Sequence, residues 1–123
     1  MALFDSDVLI DILRGVPGSR ESVADFEEEK NFISAITLGE LLFGMRENEK
    51  YNTLNFLSAF TVIHVDTDTV FQSAEIRKRA KGHVLELYDC IIAATAIKHS
   101  MTLVTRNARH YPDRSLSLFV PDY

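Results

Sequence analysis

ALFDSDVLIDILRG, residues 2–15, indicates a short strand that runs directly into a helix. The apolar run stops at Asp5, and apolar residues then recur at helical spacing until Gly15 and Pro17 end the pattern. Residues 5–7, Asp-Ser-Asp, therefore lie at the junction. In an open parallel sheet, ligands bind beyond the carboxyl ends of the strands. Two carboxylates and a hydroxyl in that place suit a hard cation, although Asp and Ser are equally ordinary at the start of a helix.

Length and composition limit the class of protein. The 123 residues fit one domain, 1–123, that can bury a core without disulfides. Cys90 is the single cysteine, and its place in an apolar run predicts a packing role. A net charge of −5 argues against a protein that coats nucleic acid by bulk electrostatics. Acids interrupt the first apolar residues and no apolar run approaches ~18 residues, so we expect a cytoplasmic protein without signal peptide or membrane contact.

Strand-like and helix-like segments alternate along the chain, which favours an α/β sandwich with a mostly parallel sheet. Thr37 and Glu40 match a capping box that would open the helix after the second strand. Val70 and Phe71 are predicted on the inner face of a later helix. The end of that helix carries four cations between residues 77 and 81, which is typical of a helix C-terminus; contact with RNA is the alternative. Strands are predicted at 2–4, 31–34, 61–65, 101–105 and 116–120, and further helices at 19–30, 50–60 and 87–97. The helix at 87–97 is apolar nearly all round, so we expect it to be central and buried.

Four polar residues occupy positions that a parallel sheet would bring to one edge: Asp5, Glu40, Asp89 and Asn107. Oxygen ligands of this kind suit Mg²⁺ or Mn²⁺, which polarise a phosphate and lower the pKa of bound water. Each residue also has a structural interpretation. Glu40 would complete the capping box, Asp89 would bind free amides in a first helical turn, and Asn107 would sit in a turn. For Asp89 the apolar neighbours favour the metal role, because an unpaired charge there would be costly.

Taken together, these segments resemble the PIN domain, and specifically the small VapC-like toxins of prokaryotic toxin–antitoxin pairs. The resemblance rests on four motifs in order over nearly the whole chain: FDSDVLID with LRG from residue 4, ITLGEL from residue 36, DCIIAATA from residue 89 and LVTRN from residue 103. It implies a three-layer α/β/α sandwich with a parallel sheet of order 3-2-1-4-5.

The resemblance also implies a site and partners. Asp5, Glu40 and Asp89 would hold one or two Mg²⁺ or Mn²⁺ ions, with Asn107 assisting and the Ser6 hydroxyl supporting. The implied activity is endonucleolytic cleavage of RNA by metal-activated water. The implied partners are an antitoxin that covers the site and a second copy of the chain in a homodimer. Ser6 stands where Thr is more usual, Asn107 carries no charge at the fourth acidic position, and His110 replaces a frequent acid.

Other interpretations stay open at this point. The run from Phe4 to Val8 is also similar to the first motif of haloacid-dehalogenase-type phosphatases, with Asp5 as nucleophile, although the later Lys and acidic motif are not evident. A PIN fold that only binds is the non-enzymatic alternative. Three arginines are candidates for steering RNA phosphates or are plain surface charges, and three apolar side chains belong to the core or to a partner surface; these are Arg14, Arg46 and Arg106, and Phe43, Met45 and Phe56.

Overall fold

A five-stranded sheet, each strand parallel to its neighbours, forms the centre of the computed structural model, which describes the whole chain, Met1–Tyr123. The strand order β3-β2-β1-β4-β5 confirms the predicted order. The strands are β1 (Ala2–Phe4), β2 (Asn31–Ser34), β3 (Thr61–Ile63), β4 (Thr102–Val104) and β5 (Leu118–Phe119). The helices are α1 (Ser6–Leu13), α2 (Ala35–Gly44), α3 (Lys50–Leu57), α4 (Thr67–Arg79) and α5 (Leu87–Lys98), with short 3₁₀ helices at Glu21–Phe26, Glu47–Glu49 and Ala108–His110.

Side chains of β1 alternate between two apolar cores, one on each face of the sheet. Leu3 packs into a core formed mainly with α4 and α5, which includes Ile76 and Ile92. Ala2 and Phe4 point to the other face, where α1, α2, α3 and the 3₁₀ helix Glu21–Phe26 cover the sheet with apolar side chains. Both faces are therefore covered, which confirms the three-layer sandwich and explains why the strands are apolar throughout.

The buried helix α5 is apolar nearly all round, as predicted, and runs through the first of these cores. Cys90 is 2% exposed and Ala96 is fully buried, so the cysteine does act as a packing residue. Lys98 at the end of α5 bonds Asp66 and Asp68 at the start of α4, at 2.9 and 3.2 Å. The end of one helix thus meets the start of the other. None of the helices is long and apolar enough to cross a membrane.

The predicted capping box is wrong. Helix α2 begins at Ala35, and the Ser34 side chain caps it by accepting a 3.1 Å hydrogen bond from the Ile36 amide. Strand β2 passes into the helix without an intervening residue, so Thr37 already lies in the first turn. It is fully buried there, and its hydroxyl has no hydrogen-bond partner. Glu40 consequently lies past the first turn, where a carboxylate no longer serves as a cap.

Other local predictions also need correction. The segment 19–30 contains only the 3₁₀ helix Glu21–Phe26 rather than a full helix. Helix α4 turns Thr69, Ser73 and Ile76 inward and leaves Val70 46% and Phe71 69% exposed. The inward stripe thus combines two small hydroxyl residues with Ile76, and the hydroxyls are satisfied locally by Asp66 Oδ1 and the carbonyl of residue 70.

Candidate active site

Asp5 directly follows the central strand. Its amide still donates to the Val104 carbonyl at 2.9 Å, so the backbone is held in register between β1 and β4. This is where the strand order reverses direction, the usual place for a ligand site in a parallel sheet. The side chain is only 5% exposed, and its Oδ1 accepts a 2.8 Å hydrogen bond from the Ser6 amide, which caps α1.

Two hydroxyls hold the other oxygen of Asp5. Thr105 Oγ1 donates to Asp5 Oδ2 at 2.9 Å, and the Tyr111 hydroxyl donates to the same atom at 2.8 Å. Both donors lie about a hundred residues away in the sequence, after β4. Sequence reasoning missed these two residues, because neither Thr nor Tyr marks a metal or catalytic motif by itself. Together with the Ser6 amide, these two hydroxyls orient the buried carboxylate by three hydrogen bonds.

Asp89, in the first turn of α5, lies on the other side of Tyr111. The Tyr111 hydroxyl is 3.3 Å from Asp89 Oδ1, and His110 Nδ1 is 3.5 Å from Asp89 Oδ2. A phenol has a single proton to donate, and the shorter contact shows that Asp5 receives it. Burial raises the pKa of Asp89, His110 opposes the rise, and the charge of Asp5 adds to it. Burial and the same two carboxylates raise the pKa of Tyr111, so the phenol stays protonated.

Glu40 is the exposed member of the acidic set. Partial burial raises the pKa of its carboxyl, and the negative charges of Asp5, Asp89 and Asp7 raise it further, while a hydrogen bond from Ser6 lowers it. The three predicted acids therefore come together at one edge of the sheet and feel one another's charge. Ser6 lies beside Glu40.

Asp7 ties the neighbouring loop to the start of α1. Its Oδ2 accepts a 2.9 Å hydrogen bond from the Arg106 amide, and its Oδ1 accepts one from the Val8 amide at 2.8 Å. Burial and the charge of Asp5 raise the pKa of Asp7. The Asn107 amide donates to Thr105 Oγ1 at 3.0 Å. Asn107 thus lies in the loop that orients Asp5 and contacts that carboxylate's donor through its backbone.

The three predicted arginines have different surroundings. Arg106 is engaged: its guanidinium lies 4.1 Å from the centre of the Tyr123 ring, and Nη2 donates to the Tyr123 carbonyl at 2.8 Å. Arg14 lines a small cleft together with Glu40. Arg46 is exposed, and its amide donates to Glu49 at 2.8 Å. Of the three, Arg14 is the one placed beside an acid of the site.

The donor set fits a hard divalent cation in its chemistry. Asp5, Glu40 and Asp89 supply only oxygen atoms, and their mutual repulsion raises the pKa of the last two, which a bound cation would relieve. No three His, Cys, Asp or Glu side chains stand at the spacing of a preformed metal site. Mg²⁺ binds through one or two carboxylates and keeps several waters, so a closed protein cage is not required.

Comparison with known proteins agrees with this geometry. A family model described as PIN domain matches residues 2–112. The chain belongs to the PIN domain family. The resemblance stated from the sequence motifs is thereby confirmed, and it extends to named VapC proteins. Ribonuclease VapC10 of Mycobacterium tuberculosis is 34% identical over 116 residues, which cover 91% of this chain and 86% of that protein. Toxin FitB of Neisseria gonorrhoeae is 32% identical, with 98% of both chains covered.

Solved structures of PIN-domain toxins with their antitoxins have the same architecture. A toxin–antitoxin complex from Klebsiella pneumoniae superposes with a TM-score of 0.85 at 30% identity, over 99% of this chain and 98% of that chain. VapBC2 from Rickettsia felis, bound to a DNA fragment from their promoter, gives a TM-score of 0.84 at 25% identity, over 98% of both chains. The PIN fold therefore accounts for the whole described chain, including β5.

Proposed function

We propose that this PIN-domain chain is a metal-dependent endoribonuclease and the toxin of a cytoplasmic toxin–antitoxin pair. The observation that carries the proposal is the position of Asp5. It is buried after the central strand, oriented by three hydrogen bonds, and shares one electrostatic field with Glu40 and Asp89. Relatives that match most of the chain are named ribonucleases, which supports RNA as the substrate.

Asp5, Glu40 and Asp89 would hold Mg²⁺ or Mn²⁺ in this proposal. The bound ion supplies Lewis acidity and lowers the pKa of a bound water toward neutrality. Thr105 and Tyr111 occupy Oδ2 and keep the Asp5 carboxylate fixed, while Oδ1, which accepts only from the Ser6 amide, retains an electron pair for a ligand. Because the orienting groups are preset in the fold, little reorganisation is needed when substrate arrives.

The remaining polar groups position the substrate side of the site. Asn107 is proposed to assist through its side-chain amide, and its loop is held by the Asp7–Arg106 backbone contact. Arg14, in the cleft that includes Glu40, is proposed to contact an RNA phosphate. Arg106 is better suited to holding the loop, since its guanidinium already contacts Tyr123 and lies 3.5 Å from Asp11.

A cleavage assay tests the proposal. The purified chain is incubated with total RNA and with a defined single-stranded RNA, with Mg²⁺, with Mn²⁺ or with a chelator. We expect cleavage only with the ions, and loss of cleavage by at least about 100-fold in Asp5→Asn and Asp89→Asn. Glu28→Gln is a matched control, because it also removes one carboxylate but lies on an exposed turn far from the site.

The outcomes separate the alternatives. Cleavage that persists with chelator, or in both Asp variants while their folding is normal, contradicts the metal-dependent nuclease. Hydrolysis of a generic phosphoester with phosphate trapped on Asp5 would instead identify the phosphatase that the sequence left open. RNA or protein binding without any hydrolysis would identify a binding module. Circular dichroism and thermal melting of each variant show whether a loss of activity is a loss of fold.

An antitoxin partner is the second part of the proposal, supported by the solved complexes of similar chains, which are toxin–antitoxin assemblies. Phe43 on α2 is 95% exposed and Leu42 next to it 37%, whereas Phe56 packs against Phe60 with ring centres 5.4 Å apart. Of the apolar residues singled out earlier, Phe43 is thus free to contact a partner, whereas Phe56 is partly buried against the core. Co-expression with the protein encoded by the adjacent reading frame should give a stable complex, and Phe43→Ser should weaken it.

We also propose that the chain forms a homodimer. The support is the exposed apolar group on α4 and at the start of α5, where Phe71 is 69%, Leu87 60% and Tyr88 56% exposed. Large apolar side chains left exposed on two packed helices favour a subunit contact. Light scattering after gel filtration should give twice the 13.9 kDa chain mass, and Phe71→Glu should shift the protein to the monomer.

A further inference from the structure

A large basic cavity lies between the end of α4 and the loop that precedes β5. Its volume is about 720 Å³, and cationic side chains at its wall come from both segments: Arg79 and Lys81 from the first, Arg114 from the second, with His83 nearby. One acid, Asp113, lies among them. The protein as a whole carries a net charge of −5, whereas cations outnumber acids at the wall of this cavity.

The charge of Asp113 is already used within the protein. Its Oδ2 accepts hydrogen bonds from Arg79 Nε at 3.0 Å and from Nη2 at 2.8 Å, and its Oδ1 accepts from the amide and hydroxyl of Ser115. The Asp113 side chain is only 6% exposed. Arg79 and Asp113 thus neutralise each other and join the two walls of the cavity.

Lys81 and Arg114 are the cations left over. Both are exposed, and neither has a carboxylate within ion-pair distance. Two unpaired cations in a concave surface attract an anion more strongly than the same charges on a convex one, because the low-dielectric walls focus the field. The cavity is polar rather than apolar, which suits a charged and hydrated ligand.

The basic cavity is next to the acidic site. Pro112 and Asp113, which line the cavity, also line a narrow recess against Asp89, His110 and Tyr111. The short segment from His110 to Asp113 therefore separates the carboxylates from the cations. A polyanion bound at Asp89 would pass the segment His110 to Asp113 on its way to Lys81 and Arg114.

We propose that this cavity binds backbone phosphates of the RNA chain on one side of the bond to be cut. The inference rests on the proposed ribonuclease function and adds a substrate subsite to it. Acidic residues at the point of cleavage repel a phosphodiester chain, and an adjacent cationic subsite would help to hold the strand. Lys and Arg contacts to phosphate position a nucleic acid without reading its sequence. The subsite accordingly contributes affinity and register for single-stranded RNA of any sequence.

RNA binding by a non-cleaving form of the full chain tests the subsite. Asp89→Asn is the background, and fluorescence anisotropy measures its affinity for a labelled single-stranded RNA at several salt concentrations and constant Mg²⁺. Adding Lys81→Ala and Arg114→Ala should lower the slope of log K against log salt by about 1.4, or about 25-fold in affinity at about 0.1 M salt. The matched control adds Arg20→Ala and Lys30→Ala, which remove the same charge from exposed positions outside the cavity.

The outcomes are distinguishable. An unchanged slope in the Lys81 and Arg114 variant, or an equal loss in the control, overturns the subsite while leaving the ribonuclease proposal intact. Absence of RNA binding by the Asp89→Asn background itself overturns both. A variant that keeps RNA affinity but loses binding of a polyglutamate peptide would assign the cavity to an acidic protein segment, against the proposal. Lys81→Arg with Arg114→Lys keeps the charge and should retain at least half of the affinity.

Discussion

Tyr111→Phe is the sharpest test of how the acidic site is held together. The substitution removes one hydroxyl and keeps the ring, so it leaves no cavity in the core where Tyr111 packs, 3% exposed, beside Leu116. That hydroxyl donates to Asp5 Oδ2 at 2.8 Å and lies 3.3 Å from Asp89. In the variant, Asp5 Oδ2 keeps a single donor, Thr105.

The expected cost follows from the charge and burial of the acceptor. A hydrogen bond to an ionised group contributes about 1.5–3 kcal/mol, and Asp5 is too buried at 5% exposure for water to replace the lost donor fully. For a chain of 123 residues, with about 2.1 cal/mol/K of unfolding entropy per residue, each kcal/mol corresponds to roughly 4 °C in Tm. We therefore expect Tyr111→Phe to lower Tm by roughly 6–12 °C.

Urea unfolding and thermal melting near neutral pH, with a chelator present, measure this cost. Tyr51→Phe is the matched control, because Tyr51 is 81% exposed and has no hydrogen-bond partner; its effect should stay within about 0.5 kcal/mol. A double-mutant cycle with Asp5→Asn adds a second check. With a neutral acceptor at residue 5, the same Tyr111→Phe change should cost only about 0.5–1.5 kcal/mol.

One result would refute this reasoning. If Tyr111→Phe costs no more than Tyr51→Phe, or costs the same with Asp5 and with Asn at residue 5, the hydroxyl does not hold an ionised Asp5. The three-donor account of the site would then be wrong, and with it the assignment of Tyr111 as a positioning residue for the proposed metal ligands.

Three further predictions concern a turn, a carboxylate and the thiol. Gly18→Ala should destabilise the fold by about 1–2 kcal/mol, because Gly18 has a φ of +82° and an added Cβ would lie 3.1 Å from Tyr123 Cβ; Gly39→Ala, in a helix with open space, should instead stabilise it by about 0.5–1 kcal/mol in urea unfolding. Glu40→Gln should stabilise the metal-free protein at neutral pH, because the fold raises the pKa of Glu40. This gain in unfolding free energy should disappear as the pH falls below the ordinary pKa of a glutamate, where Glu40 is protonated in both the folded and the unfolded chain. A gain that grows in acid would contradict the prediction. Cys90 is 2% exposed with its pKa raised by burial, so a thiol reagent should modify it only at the rate of unfolding; rapid modification of the native protein would place the thiol at the surface.

Strands and helices could be predicted wherever they depend on residues close together in the sequence. The strand that ends at Asp5 and the apolar helix around Ile92 follow from composition and periodicity within a dozen residues. Errors arose where two local patterns were equally good. Thr37 and Glu40 have the spacing of a capping box, but Ser34 comes first in the chain and caps α2 instead. Phe71 has helical spacing to apolar neighbours, yet α4 turns Thr69, Ser73 and Ile76 inward and leaves Phe71 exposed.

The acids of the candidate site could be named from the sequence because carboxylates at strand ends and helix starts are visible as motifs. Their supports could not. Thr105 and Tyr111 reach Asp5 across sequence separations of 100 and 106 residues, and only the pairing of β1 with β4 brings them there. Arg106 is predicted from its sequence context as a phosphate contact, and only the tertiary structure reveals that its guanidinium lies against Tyr123.

The amino-acid sequence by itself determined the PIN family, the order of the elements and the three candidate acids. These follow from hydrophobic periodicity and from polar residues at the ends of strands, which are properties of neighbouring residues. The tertiary structure alone decided which hydroxyls orient Asp5, which arginine is engaged, and which cations at the end of α4 lack a partner. Those properties depend on distances between side chains far apart in the chain, and such distances exist only after the sheet has brought its strand ends together.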